Sequence, residues 1–368
     1  MSKRLFIILL VGLLLIVAVA ACGAKATPEP ESAPVSEAQL NPITVGLVTA
    51  IGGVEEKFYS ALAWKGVQEA KNLFTIEASY KESNSEADYA KLLGDFASAN
   101  TDLTIAAGPE MAQAVAEAAK AHPDASFAIV DAESSAPNVS GLTFDIISPS
   151  YLAGYLAGGM SQTGVVCVYG VGDSEDVTDA MTGFVNGADY YRRQNGVNME
   201  ILGWDVYEKT GMLLNDNANE DAGYHIAGDF FDRDCDVLFA VAKDAGKGSA
   251  KAAQDEGKMF IGATVDWQVA FPEYGNAILT SVMKNTDKAV FDTTVAYAAG
   301  SFEGGKNYVG TLENNGVGLA PYHQFEDKVS PQIREDLNRV KLNILTGHLE
   351  PASPWTFGEN NQPEAEHE

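Results

Sequence analysis

Polar and aromatic side chains follow the apolar, strand-like runs of this sequence at several points. Tyr59 comes shortly after the run ITVGLVTA, and Asp131 lies at the end of FAIVDA. Lys243 follows VLFAVA, while Asp266 and Trp267 stand at the end of FIGATVD. Aromatic faces can hold a flat ring, carboxylates can accept hydrogen bonds from hydroxyl groups, and lysine can donate to a carbonyl or an anionic group. Side chains of these types at strand ends could contact a small solute.

Some of these residues also have an ordinary structural interpretation. Gly52 and Gly53 follow the first run, and glycine there either lets a ligand approach the backbone or simply makes a tight turn. Tyr59 either offers its ring to a solute or faces the core. Asp131 either accepts hydrogen bonds from a solute or caps a nearby turn or helix. The sequence leaves both interpretations open for each residue.

Common catalytic and metal-binding patterns are absent from the sequence. It contains no P-loop, no GxGxxG at a strand–helix turn, no GxSxG elbow and no HExxH. No cluster of cysteine and histidine has zinc-site spacing. We therefore expect a binding protein and not an enzyme, with no cofactor and no metal.

Two cysteines lie in or beside apolar runs. Cys167 is part of GVVCVYGV, and Cys235 is part of DRDCDVLF. A disulfide requires Cα atoms within bridging range, which the sequence alone does not place. We expect two separate buried thiols, with a disulfide as the less favoured alternative.

The N-terminus has the layout of a secretory signal peptide. Lys3 and Arg4 precede an apolar run that ends in small residues and Cys22. The apolar run extends from Leu5 to Ala18. Because a membrane-spanning helix usually needs about 20 apolar residues, such a helix is the less favoured alternative. The ending VAAC resembles the bacterial lipobox, which implies that residues 1–21 are removed and that Cys22 carries a lipid.

Both ends of the remaining chain have the composition of disordered segments. Residues 23–41 are rich in Pro, Glu, Ala and Ser, and residues 356–368 are similar. Such segments bury too little apolar surface to fold, so we expect a tether from Cys22 to residue 41 and a disordered tail. The formal net charge of −27 predicts repulsion from nucleic acid, which we exclude as a partner.

Between these segments, short β-rich apolar runs alternate with longer Ala-rich helical runs. Two successive series of this kind predict an α/β fold with two doubly wound parallel sheets. We expect lobe 1 over residues 42–160 with part of 280–310, and lobe 2 over 161–280 with part of 310–350. Ligands of such sheets bind beyond the carboxyl ends of the strands, so two hinged lobes are expected to close on a solute.

Five segments resemble, in order, the landmarks of one family. GGVEEKFYSALAWKG (52–66) resembles the signature GGIDDKSFNQSAYEG of the basic membrane protein family, also called the purine nucleoside receptor family. The others are FAIVDA with NVSGLTFDIISPSYLAGYLAG (127–158), VAKDAGKGSAKAAQDEG (241–257), TSVMKNTDKAVFD (280–292) and GGKNYVGTLENNGVGLAP (304–321). The resemblance covers roughly residues 43–325 and implies a type I periplasmic-binding-protein fold.

The resemblance implies roles for residues near the first strand. Tyr59 matches the family's stacking phenylalanine, and Ser60 matches an asparagine that hydrogen-bonds the base. Serine is shorter and lacks the paired donor and acceptor of an amide. Ala50 stands where many members have aspartate. Ser60 and Ala50 therefore depart from the family's purine-binding pattern.

Other matches lie in the second series. Lys243, Asp244 and Gly246 belong to a loop that in the family contacts the ligand near the hinge, and Lys243 departs from its pattern. Asp266 or Thr264 matches the place of a ribose-binding aspartate. Lys284 matches a lysine near the ligand, its other interpretation being a solvated lysine at a helix start. The expected ligand-binding residues are Gly53, Tyr59, Ser60, Asp131, Lys243, Asp244, Gly246, Thr264, Asp266, Trp267 and Lys284.

The resemblance further implies a lipid-anchored receptor of an ABC importer, held on the extracytoplasmic face of the cell membrane. Its expected partners are a nucleoside or a related ring-bearing solute, together with the permease and ATPase subunits, and we expect a monomer. The alternatives are a sensor lipoprotein that presents its ligand to a membrane receptor, and a binding protein for a non-nucleoside solute.

Overall fold

The computed structural model describes residues 42–353. The expected signal peptide, the lipid-bearing Cys22, the tether and the tail lie outside the described residues. Within residues 42–353, every helix is too short or too polar to cross a membrane.

Strands occupy most of the apolar runs that the sequence singles out. Their bounds are β1 Ile43–Ile51, β2 Ile76–Ser83, β3 Leu103–Ala107, β4 Ser126–Val130, β5 Val139–Phe144, β6 Val165–Val171, β7 Glu200–Leu202, β8 Trp204–Asp205, β9 Thr210–Gly211, β10 Leu213–Leu214, β11 Val237–Val241, β12 Met259–Thr264, β13 Ile278–Lys284, β14 Asn307–Gly310 and β15 Val317–Leu319. Nearly all residues of β3 and β11 are buried, as is typical of strands covered on both faces of a sheet.

Helices follow most strands and carry the Ala-rich runs. Their bounds are α1 Tyr59–Leu73, α2 Tyr89–Ser98, α3 Ala112–Ala121, α4 Ile147–Met160, α5 Glu175–Asn195, α6 Glu220–Phe231, α7 Asp244–Asp255, α8 Trp267–Ala270, α9 Thr286–Ala298 and α10 Pro331–Leu345. Side-chain oxygens cap some of them, as Asn219 does for α6 and Ser330 for α10.

The strands form two separate large sheets. The first has the order β14-β5-β4-β3-β1-β2, and all its neighbours are parallel. The second has the order β10-β6-β11-β12-β13-β15, with β7 also beside β6 and β15 antiparallel to β13. The predicted α/β class with two parallel sheets is confirmed.

Both sheets reverse their strand order beside their first strand. In the first sheet β1 lies between β2 and β3, and in the second β6 lies between β10 and β11. The connections on the two sides of each of these strands therefore run in opposite directions. Their divergence opens a crevice at the carboxyl end of the strand. Such switch points are where open α/β sheets bind ligands.

The chain passes between the two sheets three times: after β5, after β13, and between β14 and β15. Helix α9 packs on α1 of the first sheet, whereas α4 packs on α5 and α10. The predicted lobe boundary at residue 160 follows α4, while the first crossing follows Phe144. The division into two hinged lobes stays a prediction.

Cys167 and Cys235 form a disulfide, with their Cα atoms 6.1 Å apart. The expectation of two separate buried thiols is therefore wrong. Cys167 lies within β6 and Cys235 lies just before β11, and the parallel pairing of these neighbouring strands brings the two residues into bridging range. Both residues are fully buried in the second sheet.

Candidate functional site

A cavity of about 820 Å³ lies where the carboxyl ends of both sheets meet. The first sheet contributes residues that follow β1, β3 and β4 and residues at the end of β5. The second contributes residues that follow or end β6, β10, β11, β12 and β13. Its polar and aromatic lining comprises Tyr59, Asp131, Glu133, Thr143, Phe144, Ser174, Glu175, Asp176, Asp216, Lys243, Asp244, Thr264 and Lys284.

A glycine turn and an acidic cap position Tyr59 after β1. Gly52 and Gly53 have φ values of 106° and 69°, which confirms the predicted turn and explains the glycines there. The carboxylate of Glu56 then accepts hydrogen bonds from the backbone N–H groups of Phe58 and Ser60, at 2.9 and 3.0 Å. These bonds satisfy N–H groups at the start of α1, which otherwise lack partners. Tyr59 is thereby fixed beside the cavity.

Lys284 connects the two sides of the cavity through an ion cluster, which we define as Tyr59, Asp131, Asp176 and Lys284. The Lys284 ammonium, at the end of β13, donates to both oxygens of Asp131 at 2.7 and 2.8 Å. It also donates to Asp176 at the start of α5, and the Tyr59 hydroxyl donates to Asp131. Side chains from both sheets therefore hold one another in a single network.

Burial and charge act in opposite directions on Lys284. Burial lowers the pKa of its ammonium, but the charges of Asp131 and Asp176 outweigh that effect, so the pKa is raised above its usual value. Burial, followed by the charge of Asp131, raises the pKa of the Tyr59 hydroxyl well above its usual range. Lys284 is therefore charged and Tyr59 is neutral at physiological pH.

Two non-glycine residues of the cavity wall have a left-handed backbone. The φ values are 60° at Asp131 and 78° at Thr264, each directly at the end of a parallel strand. This conformation is an outlier for a β-branched residue such as threonine and costs about 1–3 kcal/mol. Strain of this kind concentrates at ligand sites, where it directs a side chain or a backbone group.

Lys243 and Asp244 enter the cavity from the end of β11. The Lys243 ammonium lies 4.8 Å from the centroid of the Tyr59 ring and 5.6 Å from that of Phe58. Both distances are within the range of a cation–π contact. Asp244 begins α7 and accepts a hydrogen bond of 2.7 Å from Lys247. Lys243 is thus placed by aromatic rings and not by a carboxylate.

The structure brings six of the expected ligand-binding residues together: Tyr59, Asp131, Lys243, Asp244, Thr264 and Lys284. Gly53 and Ser60 lie near them but outside the cavity lining. The Ser60 hydroxyl is fully buried and accepts a hydrogen bond of 3.0 Å from the backbone N–H of Ala50. Ser60 therefore ties the start of α1 to the end of β1.

Three further expected residues have internal partners in the second sheet. Trp267 is fully buried, and its indole N–H donates to the Ala263 carbonyl at 2.9 Å. Gly246 gives this ring room, since a Cβ on it would lie 2.6 Å from the indole. Asp266 caps α8 and contacts His323 Nε2 at 2.8 Å. These internal contacts explain the positions of all three residues, and none of the three requires a contact with a solute.

Asp176 and Phe144 are cavity residues that the sequence reasoning missed. Asp176 lies just after β6, in the segment GVGDSED, and Phe144 is the last residue of β5. The position at a strand's carboxyl end marks both, and it is the same signal that identified Asp131. Asp216, which follows β10, was missed because β10 is only two residues long.

A neighbouring cavity of about 740 Å³ shares Tyr59, Lys243 and Asp244 with the first. Its remaining wall includes Ala50 and Ile51 at the end of β1, together with Tyr89 and Glu110. The larger cavity also contains the residues at the ends of β4, β12 and β13, and it is the candidate site. Within residues 42–353, no group of three or more His, Cys, Asp or Glu side chains is arranged to hold a metal ion.

Comparison with known proteins identifies the chain's family. A family model described as Bmp, ABC transporter substrate-binding protein PnrA-like, matches residues 43–349. The chain belongs to this family. Bmp proteins are substrate-binding proteins of ABC transporters and not enzymes, which agrees with the absence of catalytic motifs.

Relatives of the chain include proteins of Listeria and Lactococcus. The CD4+ T-cell-stimulating antigen of Listeria monocytogenes is 28% identical over 84% of this chain and 88% of its own length. The ABC transporter nucleoside-binding protein BmpA of Lactococcus lactis is 24% identical over 83% of this chain and 88% of its own.

The fold matches a solved solute-binding protein. The ABC transporter solute-binding protein of Aeropyrum pernix superposes with a TM-score of 0.68 at 18% identity, over 84% of this chain and 93% of that one. This match shows a fold of the periplasmic-binding-protein type. As a member of the Bmp family, the protein is an extracytoplasmic substrate-binding protein of an ABC transporter, which implies a small-molecule ligand and permease and ATPase partners.

Proposed function

We propose that this Bmp protein is a lipid-anchored monomer that captures a nucleoside, or a related ring-bearing solute, between its two sheets and delivers it to an ABC importer. The observation that carries the proposal is the convergence of both switch points on one polar cavity of about 820 Å³. A volume of this size is within the usual range for small-molecule sites.

The contents of the cavity support a hydroxyl-bearing solute. Asp131 and Asp176 present carboxylate oxygens that can accept from sugar hydroxyls, and Lys284, whose N–H groups donate to both carboxylates, holds them in place. Hydrogen bonds to charged groups are stronger than neutral ones, so a sugar at this position would be held firmly. Phe144 and the ring of Tyr59 add apolar surface for the rest of the solute.

The residues that bind the solute also couple binding to closure. Asp131 belongs to the first sheet, whereas Lys284 and Asp176 belong to the second. A solute that contacts both sides stabilises the arrangement in which the two sheets are close together. A ligand shifts such an equilibrium by its difference in affinity for the two arrangements. The permease would then meet a loaded protein in one defined shape.

Mass spectrometry of solute extracted from the purified protein tests the function most broadly, followed by calorimetry with inosine as the probe. We expect a nucleoside in the extract and saturable binding of inosine. Tyr59→Ala should weaken binding at least tenfold, about 1.4 kcal/mol. Tyr207→Ala, an exposed tyrosine away from the cavity, is the matched control. An extract without nucleosides, together with no heat of inosine binding, would contradict the proposal.

The lipid anchor is tested separately through Cys22. In cells, Cys22→Ala should move the protein from the membrane fraction to the soluble fraction, because the modified thiol would be the site of attachment. A protein that stays in the membrane fraction after this change would refute lipidation at Cys22.

A further inference from the structure

Lys243 differs from the other lysine of the cavity in the surroundings of its ammonium group. Among the described residues 42–353, the Lys243 ammonium contacts the rings of Tyr59 and Phe58. No carboxylate, carbonyl or hydroxyl of these residues accepts a hydrogen bond from it. The adjacent carboxylate of Asp244 is bound to Lys247 instead. Lys243 therefore keeps three N–H donors for whatever occupies the cavity.

The neighbours of Lys243 hold the ammonium in place without consuming its donors. The nearby carboxylate of Glu56 already accepts the N–H groups of Phe58 and Ser60. Phe58 is itself buried against Trp267 and Phe271 of the second sheet. The family signature GGIDDKSFNQSAYEG has serine where this chain has Phe58, so this aromatic support is a feature of the present sequence.

The position of Lys243 over Tyr59 changes how a ring can bind. A flat base on that face of Tyr59 would have to displace the ammonium from its cation–π contact. A base whose edge carries an oxygen acceptor toward Lys243 would instead gain a charge-assisted hydrogen bond. The same cavity surface therefore penalises one kind of ring and rewards another.

We propose that Lys243 determines specificity at this site and selects oxopurine nucleosides, such as inosine, over aminopurine nucleosides, such as adenosine. This inference rests on the proposed nucleoside function. Lysine carries donors only, and it pairs with the O6 and N7 acceptors of an oxopurine edge. The 6-amino group of adenosine is itself a donor and faces a positive charge at that point. Inosine and adenosine share the ribose and the N7 acceptor and differ at C6 and at the adjoining N1, which is a donor in inosine and an acceptor in adenosine.

Calorimetry with inosine and adenosine tests the inference on three proteins: the wild type, Lys243→Met and Lys251→Met. Methionine keeps most of the length of lysine and removes the charge and the donors. We expect the wild type to bind inosine at least tenfold more tightly than adenosine, and Lys243→Met to bring the two affinities within about twofold. Lys251→Met removes a lysine of α7 that is paired with Asp255 outside the cavity, and it should keep the wild-type ratio.

Lys243→Arg and Lys243→Gln complete the test. Arginine keeps the charge and the donors and should retain the preference for inosine, whereas glutamine should lose most of it. A ratio that Lys243→Met and Lys243→Gln leave unchanged would overturn the inference while the nucleoside function stands. A wild type that binds neither nucleoside would instead refute the proposed function, and this inference would fall with it.

Discussion

Lys284 and Lys243 lie at the carboxyl ends of strands in the same sheet and line the same cavity, yet their ammonium groups have opposite surroundings. Lys284 is 6% exposed and is bound by two carboxylates. Lys243 is exposed and contacts two aromatic rings. A buried charge must be neutralised by its neighbours, whereas an exposed charge can leave its donors free. The first lysine therefore serves mainly the structure of the cavity, and the second serves selection of the solute.

The largest expected effect is on stability, from Lys284→Met. This change leaves the carboxylate of Asp131, which is 7% exposed, without its partner and should lower the free energy of unfolding by about 3–5 kcal/mol. Lys243→Met, the matched control, should change it by less than about 1 kcal/mol. Urea unfolding of the two variants measures the contrast, and equal losses would break the comparison.

The next largest loss in the free energy of unfolding is expected from Phe58→Ala, which removes a packed ring beside Lys243. Phe58 is buried among Trp267 and Phe271, so its removal leaves a cavity that should cost about 3 kcal/mol. Phe58→Leu fills most of that space and should cost about 1 kcal/mol. Thermal and urea unfolding report both values. A negligible loss for Phe58→Ala would show that this end of the cavity does not depend on aromatic packing.

The two carboxylates of the ion cluster should differ by a smaller amount. Asp131 is 7% exposed, whereas Asp176 is 49% exposed and is screened by water. We therefore expect Asp131→Asn to lower the free energy of unfolding by about 2 kcal/mol more than Asp176→Asn does. The same urea experiment checks the difference, and a greater loss for Asp176→Asn would reverse the assigned roles.

The smallest expected effect is a dependence on pH. The folded pKa of Lys284 is raised above its unfolded value, so its stabilisation is fully present below the unfolded pKa and is lost as pH rises through the folded pKa. The stability difference between wild type and Lys284→Met should be constant from neutral pH to about pH 10 and shrink above it. Subtracting the curve for Lys243→Met removes effects common to any lost lysine. A difference that grows above pH 10 would contradict the account.

The sequence was sufficient to predict the fold class and part of the site. Alternating strand and helix patterns predicted two parallel sheets, the strand-end rule identified Asp131 and Lys243, and the family resemblance identified Lys284. The same rule also points to Asp176, which follows β6, but the sequence reasoning did not apply it to that strand. The cysteine pairing could not be predicted, because it depends on which strands become neighbours in the sheet.

Side-chain direction was the other limit of the sequence reasoning. Trp267 and Asp266 follow β12 as closely as Asp131 follows β4, but the indole turns into the core and the carboxylate caps α8. Burial of a large aromatic side chain outweighs its nearness to a strand end. Ser60 turns toward β1 for a similar reason, since its hydroxyl satisfies a buried backbone N–H.

A crystal structure of the protein grown with inosine would test the central claim most directly. The account predicts one nucleoside in the cavity of about 820 Å³, with its ribose at Asp131 and Asp176 and its purine oxygen within hydrogen-bonding distance of the Lys243 ammonium. A nucleoside bound instead in the neighbouring cavity beside Tyr89 and Glu110, or a fully formed cavity that stays empty at saturating inosine, would contradict it.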